Sequence, residues 1–203
     1  MMPIVVNLFG PPGAGKSTGA ARVFCELKQR GINAELVGEF AKDKTWEHNT
    51  KALSVQEYVF GKQSYRLARC REDVDVIVTD SPLPLSIIYN RNPALDGNFE
   101  RVVMNVFNTY NNMNYFIKRV KPYNPKGRNQ TQEESDALIT PIKQLLEKYN
   151  IDYQDRDGAE YDYMTIVNDV VEHLGYVSNK ENTSNTAVIE EITDNIRNGI
   201  IND

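Results

Sequence analysis

Read for alternation and period, the chain sorts into short apolar runs separated by amphipathic segments. Ile4-Val5-Val6-Asn7-Leu8-Phe9 is apolar but for Asn7 and too short for a typical helix, so it predicts a strand covered on both faces. Ala20, Val23, Phe24 and Leu27 then recur at helical spacing, and Gly31 stops that helix after the basic turn of Lys28 and Arg30. Ala34-Glu35-Leu36-Val37 predicts a second strand ending at Gly38-Glu39-Phe40, and the polar stretch from Ala41 to Lys51 holds the only tryptophan, Trp46. Ser54 and Glu57 have capping-box spacing, which predicts a long helix from Ser54 to about Glu72.

The second half repeats the alternation. Val74 to Thr79 predicts a central strand that ends in Asp80-Ser81-Pro82, and a helix over Leu83 to Tyr89 is broken by Asn92-Pro93. Phe99 to Tyr110 predicts a helix whose apolar side is Phe99, Val102, Val103, Val106, Phe107 and Tyr110, with a fourth strand over Asn114 to Lys118. A basic, aperiodic stretch from Arg119 to Gln132 predicts an exposed loop. One helix is expected over Glu133 to Tyr149, a fifth strand over Ile151 to Asp155, a turn at Arg156-Asp157-Gly158, and a last helix over Glu160 to Leu174. Strands alternating with helices imply an α/β fold with a parallel sheet and right-handed crossovers. From Val177 the chain turns Asn-, Ser-, Thr- and Glu-rich. We therefore expect a domain over 1–176 and a polar tail over 177–203, either flexible or holding a short helix that docks on the body or on a second subunit of a homodimer.

Composition narrows the class. At 203 residues, 40% hydrophobic and 25% charged, the chain fits one α/β domain. A net charge of −5 gives no global attraction to nucleic acid or to an anionic membrane. Cys25 and Cys70 fall in expected helices with no CxxC and no metal-ligand spacing, so reduced thiols are expected. No apolar run is long enough to span a bilayer, and the expected location is cytoplasmic, without membrane association.

The chemistry concentrates where the strands end. Gly10-Pro11-Pro12-Gly13-Ala14-Gly15-Lys16-Ser17-Thr18 follows the first strand and opens a helix, which is the required context of a P-loop. Glycines let successive N–H groups turn toward phosphate oxygens, and the helix start adds its positive dipole end. Lys16 is then expected to reach the β- and γ-phosphates of ATP, and Ser17 to hold Mg²⁺. Asp80 stands at the Walker B position and is expected to complement Ser17 on Mg²⁺, with capping of the next helix the compatible alternative. Glu39 is the candidate general base toward an acceptor hydroxyl, or else a solvated carboxylate at a strand end, with Asp43 a second candidate. Arg119, Lys121, Lys126 and Arg128 read as a lid over the γ-phosphate or as a solvated basic face, Arg128 being best suited by its planar fork. Arg66 and Arg69 share a helix face able to meet a phosphate, although exposed arginines need no such role. Trp46, Tyr58, Phe60 and Tyr65 can stack on a base or simply pack.

Together the P-loop, Glu39-Phe40-Ala41, Thr79-Asp80-Ser81, Tyr123-Asn-Pro-Lys-Gly-Arg128 and Asp157-Gly158 resemble the P-loop kinases of the nucleoside and nucleotide kinase superfamily, over roughly Pro3 to Gly175. The chain is similar to the small AAA-type ATPase/kinase proteins allied to the nicotinamide ribonucleoside kinase domain, many of them phage-encoded. That resemblance implies a P-loop NTPase three-layer sandwich with a five-stranded parallel sheet in the order 2-3-1-4-5, helices on both faces and a lid loop. It also implies Mg-ATP as donor, an adenine site near Asp157-Gly158, and Glu39 as base. Phage members similar to it include kinases that phosphorylate 5-hydroxymethyluracil within DNA. An acidic-Arg-Ser motif usual after the third strand is replaced here by Asp80-Ser81-Pro82, so no arginine fills that place. Two functions stay open at this point: a kinase acting on a nucleoside-type hydroxyl, free or in DNA, and a P-loop ATPase acting as a conformational switch with a protein or nucleic-acid partner. A nucleotide-binding protein without catalysis is a third reading, against which the intact Gly15-Lys16-Ser17 speaks.

Overall fold

The computed structural model describes residues 2–95, 97–128 and 130–175. Strand β1 (Ile4–Phe9) is buried at every position. It lies in the middle of a five-stranded, all-parallel sheet of order β2-β3-β1-β4-β5, formed with β2 (Ala34–Val37), β3 (Val76–Thr79), β4 (Asn111–Lys118) and β5 (Gln154–Asp157). Because side chains alternate along a strand, Val5 and Phe9 enter one apolar layer while Ile4, Val6 and Leu8 enter the other. The first layer is closed by α4 (Gln56–Ala68), α5 (Leu85–Tyr89), α6 (Asn98–Phe107) and α8 (Ile139–Lys148), through residues such as Phe60, Leu67, Val103, Phe107 and Leu146. Helix α1 (Lys16–Gln29) packs on the other face through Ala20, Val23 and Leu27, and α9 (Glu160–His173) supplies Tyr163, Ile166 and Val167 to the core. The α/β fold of a P-loop NTPase follows, as the motif order implied.

Several boundaries differ from the sequence expectation, each for a local reason. Strand β4 begins at Asn111 rather than Asn114, because β1 pairs with it from Ile4↔Asn111 onward and buried Asn7 donates to Asn112 Oδ1 at 2.9 Å and Asn114 Oδ1 at 3.1 Å. Strand β5 starts at Gln154 rather than Ile151; its register comes from pairing with Tyr115 to Lys118. Arg156 and Asp157, expected in a turn, belong to that strand. The stretch read as polar connection forms two short helices, α2 (Phe40–Trp46) and α3 (Thr50–Leu53). Ser54 does not cap α4: its hydroxyl donates to Lys51 O at 2.8 Å and ends α3, while α4 starts at Gln56 behind Val55 and stops at Ala68, leaving Cys70 outside it. The helix expected over Glu133 to Tyr149 is two, α7 (Gln132–Ala137) and α8, because Leu138 N–H tightens onto Ser135 O at 3.1 Å. A capping box of Thr131 and Glu134 opens α7. Val102 is exposed rather than inward.

Residues 1–167 form one compact unit, and the described part of the second, 168–175, is the end of α9 with its closing glycine turn. The tail expected over 177–203 lies outside the described residues. No helix among the described residues is long and apolar enough to cross a membrane.

Candidate active site

The loop between β1 and α1 takes left-handed backbone at Gly10 (φ 136°), Gly13 (φ 78°) and Gly15 (φ 102°). At Gly10 a β-carbon would stand 2.6 Å from the Ile117 carbonyl oxygen, so both conformation and space demand glycine. Neighbouring elements hold the loop by its carbonyls. The buried Ser135 hydroxyl of α7 donates to Pro12 O at 2.7 Å, and the Tyr163 hydroxyl of α9 donates to Gly15 O at 3.0 Å. Gly158 lies directly against the Ala14 carbonyl, its N–H donating to Lys118 O at 2.8 Å. Among the described residues the N–H groups of Gly13, Gly15, Lys16, Ser17 and Thr18 have no backbone acceptor. With carbonyls turned away and N–H groups left at a helix start, the loop is a cradle for anions.

Lys16 folds over this loop, its Nζ donating to Gly10 O at 2.8 Å and Pro11 O at 3.0 Å. Burial holds its ammonium below the usual lysine range, against the attraction of Glu39 and Asp80. An arriving phosphate offers the ammonium a better partner than two carbonyls.

Asp80 follows β3 and is 6% exposed, with Oδ1 fully buried and without a hydrogen-bond partner. It caps no helix: α5 begins at Leu85 behind Pro84, and the turn after β3 is held by Ser81 N–H donating to Thr79 Oγ1 at 3.1 Å. An orphaned carboxylate oxygen beside the P-loop, with the exposed Ser17 hydroxyl on the first turn of α1, suits Mg²⁺. Magnesium usually takes one or two protein oxygens together with phosphates and waters, so no larger carboxylate cluster is required, and none is found among the described residues.

Glu39 sits between β2 and α2 on a turn that α4 fixes from behind. Gln63 accepts from Phe40 N–H at 2.8 Å and donates to Gly38 O at 3.4 Å, while Arg66 donates to Gly38 O at 3.2 Å and pairs with Asp43. The Glu39 carboxylate makes no hydrogen bond among the described residues, and burial raises its pKa above the usual carboxylate range despite the nearby Lys16. Arg66 thus serves the turn rather than the cleft and occupies Asp43, while Arg69 pairs with Glu35 at 3.6 Å.

The loop after β4 folds over the P-loop. Tyr123 packs on Gly13, its hydroxyl donating to Gln130 O at 2.6 Å. The Arg128 guanidinium lies over the Tyr123 ring and donates to Asn124 O, and Gly127 (φ 71°) rests on the Trp46 ring, where a β-carbon would be 2.5 Å from it. Lys126 and Arg128 line the cleft, whereas Arg119 pairs with Asp136 and stacks on the Tyr123 ring. Beneath this loop lies a cleft of about 400 Å³ that brings together Lys16, Ser17, Glu39, Asp80, Lys126 and Arg128. Gly158 is placed behind the P-loop and does not line it.

A family model described as an AAA domain matches residues 5–160. The chain belongs to this AAA family. Nucleotide binding and hydrolysis, with a divalent cation, are the chemistry such a P-loop domain performs. Among curated proteins none matches the chain.

The AAA domain's cleft also contains residues that carried no sequence signal. Gln56, Ser86 and Tyr89 line it beside Leu53, Val59 and Leu85. Each comes from an ordinary helix, and a buried, unpartnered amide cannot be told from a surface glutamine in one dimension. Tyr163 and Ser135 were equally silent, since their partners lie 148 and 123 residues away.

Proposed function

We propose that the AAA domain is an ATP-dependent kinase that transfers the γ-phosphate to a hydroxyl of a nucleoside-type acceptor, either free or, as with 5-hydroxymethyluracil, within DNA. The observation that carries this reading is that the cleft is lined not by the P-loop alone but also by Leu53, Val59 and Leu85 of α3, α4 and α5. Hydrolysis needs room for a water only, whereas an apolar-walled extension has room for an organic acceptor.

In this reading the P-loop N–H groups and Lys16 hold the β- and γ-phosphates, and Ser17 and Asp80 hold Mg²⁺, which would neutralise charge on the phosphates. Lys126 and Arg128 cover the transferring group and exclude water. Glu39, raised in pKa by burial, takes the proton of the attacking hydroxyl. A carboxylate at that point suits a hydroxyl acceptor and would repel an acceptor phosphate.

Transfer of label from γ-labelled ATP is the test, with deoxynucleosides, nucleoside monophosphates, nicotinamide riboside, and DNA with or without 5-hydroxymethyl pyrimidines as acceptors. Label is expected on one hydroxyl acceptor, lost in Lys16→Ala and reduced about 10²–10⁴-fold in Glu39→Gln. Label released only as free phosphate across the panel would instead support the second reading, an ATPase switch, which the AAA family match favours as directly.

A further inference from the structure

A single exposed tryptophan needs no explanation, but the residue that meets Trp46 does. Gly127 has left-handed backbone (φ 71°), and a β-carbon there would stand 2.5, 3.1 and 3.2 Å from Cζ2, Cη2 and Cε2 of the Trp46 indole. Only glycine can come so close in that conformation. The same loop meets the P-loop through Tyr123, which packs on Gly13 where a β-carbon would be 2.8 Å from the ring. Lys126 and Arg128, which line the cleft, therefore belong to a strap with one foot on the P-loop and the other on α2.

Helix α2 joins that second foot to the candidate base. Glu39 immediately precedes the helix, and Trp46 is its last residue. Helix α4 fixes the first turn: Gln63 accepts from Phe40 N–H at 2.8 Å, the Phe40 ring meets Tyr58 edge-on with centroids 5.5 Å apart, and Arg66 pairs with Asp43. Only Phe40 of the seven residues is buried, so the helix has little core contact of its own, and short helices depend on such contacts. Lys42, Thr45 and Trp46 follow Glu39 at helical spacing and line the cleft with it. What holds Trp46 thus holds the cleft-facing side of α2. Packing alone would also account for Gly127 on the indole, but then the pair would govern stability and leave nucleotide exchange untouched.

Building on the kinase reading above, we propose that Trp46 is a positioning residue: by receiving Gly127 it latches the strap across the cleft and, through α2, sets Glu39 against the attacking hydroxyl only while the cleft is closed. The strap lifts from Trp46 to let nucleotide pass. Transfer is then favoured over hydrolysis, because the base is in place only when Lys126 and Arg128 cover the phosphates.

The experiment perturbs the contact from both sides, with Trp46→Ala, Gly127→Ala and the double variant, and with Trp46→Phe as the conservative change. Stopped-flow release of N-methylanthraniloyl-ADP, chased with unlabelled ATP, reads the latch. Each single variant should release the analogue about 2–10-fold faster, the range expected from losing one aromatic contact. The double variant should be no faster than Trp46→Ala, since the added methyl group no longer meets a ring, and Trp46→Phe should fall between Trp46→Ala and wild type. Label from γ-labelled ATP reads Glu39, with 5-hydroxymethyl-2′-deoxyuridine, free and in a short single-stranded oligonucleotide, as acceptor. Trp46→Ala should lower kcat for transfer and raise the share of label released as free phosphate, with the acceptor KM little changed. If the variants melt lower but release the analogue at the wild-type rate, the contact is packing and the latch is wrong, while the kinase reading stands. If release quickens and the share of free phosphate does not change, the link from Trp46 to Glu39 is wrong. If wild type labels neither acceptor form, the kinase reading falls there and the positioning of Glu39 with it, whereas the release rates still decide the latch.

Discussion

Replacing Gly158 with alanine probes how rigidly the P-loop is held. A β-carbon at 158 would stand 3.0 Å from the Lys118 carbonyl oxygen and nearer still to that of Ala14. Carbon–oxygen contacts normally lie at about 3.3–3.6 Å, so the Ala14 carbonyl would have to withdraw by about 1 Å. Both obstacles are backbone, and no rotamer change relieves them. Ala14 is itself fixed, since its flanking carbonyls at Pro12 and Gly15 are held by Ser135 and Tyr163. Overpacking of this kind costs about 1–3 kcal/mol, which in a chain of this size lowers the thermal midpoint by about 2–12 °C. A displacement of about 1 Å in a phosphate cradle is also expected to reduce turnover or nucleotide affinity by up to about 100-fold. Gly61 is the matching control: it lies inside α4 with no atom within 4 Å of a β-carbon, so Gly61→Ala should stabilise by about 0.5–1 kcal/mol and leave nucleotide binding alone. Thermal melting by circular dichroism and titration with a fluorescent ATP analogue read both quantities. A Gly158→Ala protein that melts and binds like wild type would refute the picture of a loop clamped against residue 158.

Two further perturbations address the Glu39 carboxylate and the loop over the cleft. Burial sets the Glu39 pKa above its unfolded value, so the folded state binds that proton more tightly and ionised Glu39 weakens the fold. That cost is absent below the unfolded pKa of about 4.3, grows as pH rises toward the folded pKa, and stays constant above it. Glu39→Gln should therefore melt higher than wild type near about pH 8 and lose the advantage near about pH 4; equal differences at both would remove burial as the cause. Trp46 is 61% exposed yet carries Gly127 of the lid on its ring. Trp46→Ala should leave stability within about 1 kcal/mol while slowing turnover several-fold. As the chain's only tryptophan, Trp46 should also change its fluorescence when Mg-ATP binds to wild type, and a silent titration would separate it from lid movement.

What the sequence made legible is what local chemistry decides. Strand β1 and the loop after it are contiguous, and glycine, lysine and serine are each required there by backbone conformation or charge, so the P-loop stands out. Central strand β3 is read from an apolar run because both its faces are covered. Edge strand β5, Gln154-Asp155-Arg156-Asp157, has no such run; pairing with β4 makes it a strand, and pairing is not written in its own residues. Helix α2 was hidden for a similar reason, since only Phe40 of its seven residues is buried. Leu138 breaks a helix whose apolar period continues unbroken, because Ser135 and Asp136 tie α7 to the P-loop and the lid while α8 follows the sheet.

The two ends of the cleft differ in the same way, and the difference bears on how the domain can change. The phosphate end is built of backbone groups in one contiguous loop, locked by carbonyl contacts from α7, α9 and the turn after β5. Almost any substitution there moves the cradle itself. The other end is built of side chains from α3, α4 and α5, and among the described residues none of these helices hydrogen-bonds the P-loop. Substituting residues of this wall changes what it presents without touching the turn that carries Glu39, which is fixed separately by Gln63 and Arg66. On the kinase reading proposed above, substitutions at this wall would change acceptor preference while leaving the nucleotide end fixed. The same separation explains why the motif announces nucleotide chemistry plainly while the other end of the cleft carried no sequence signal.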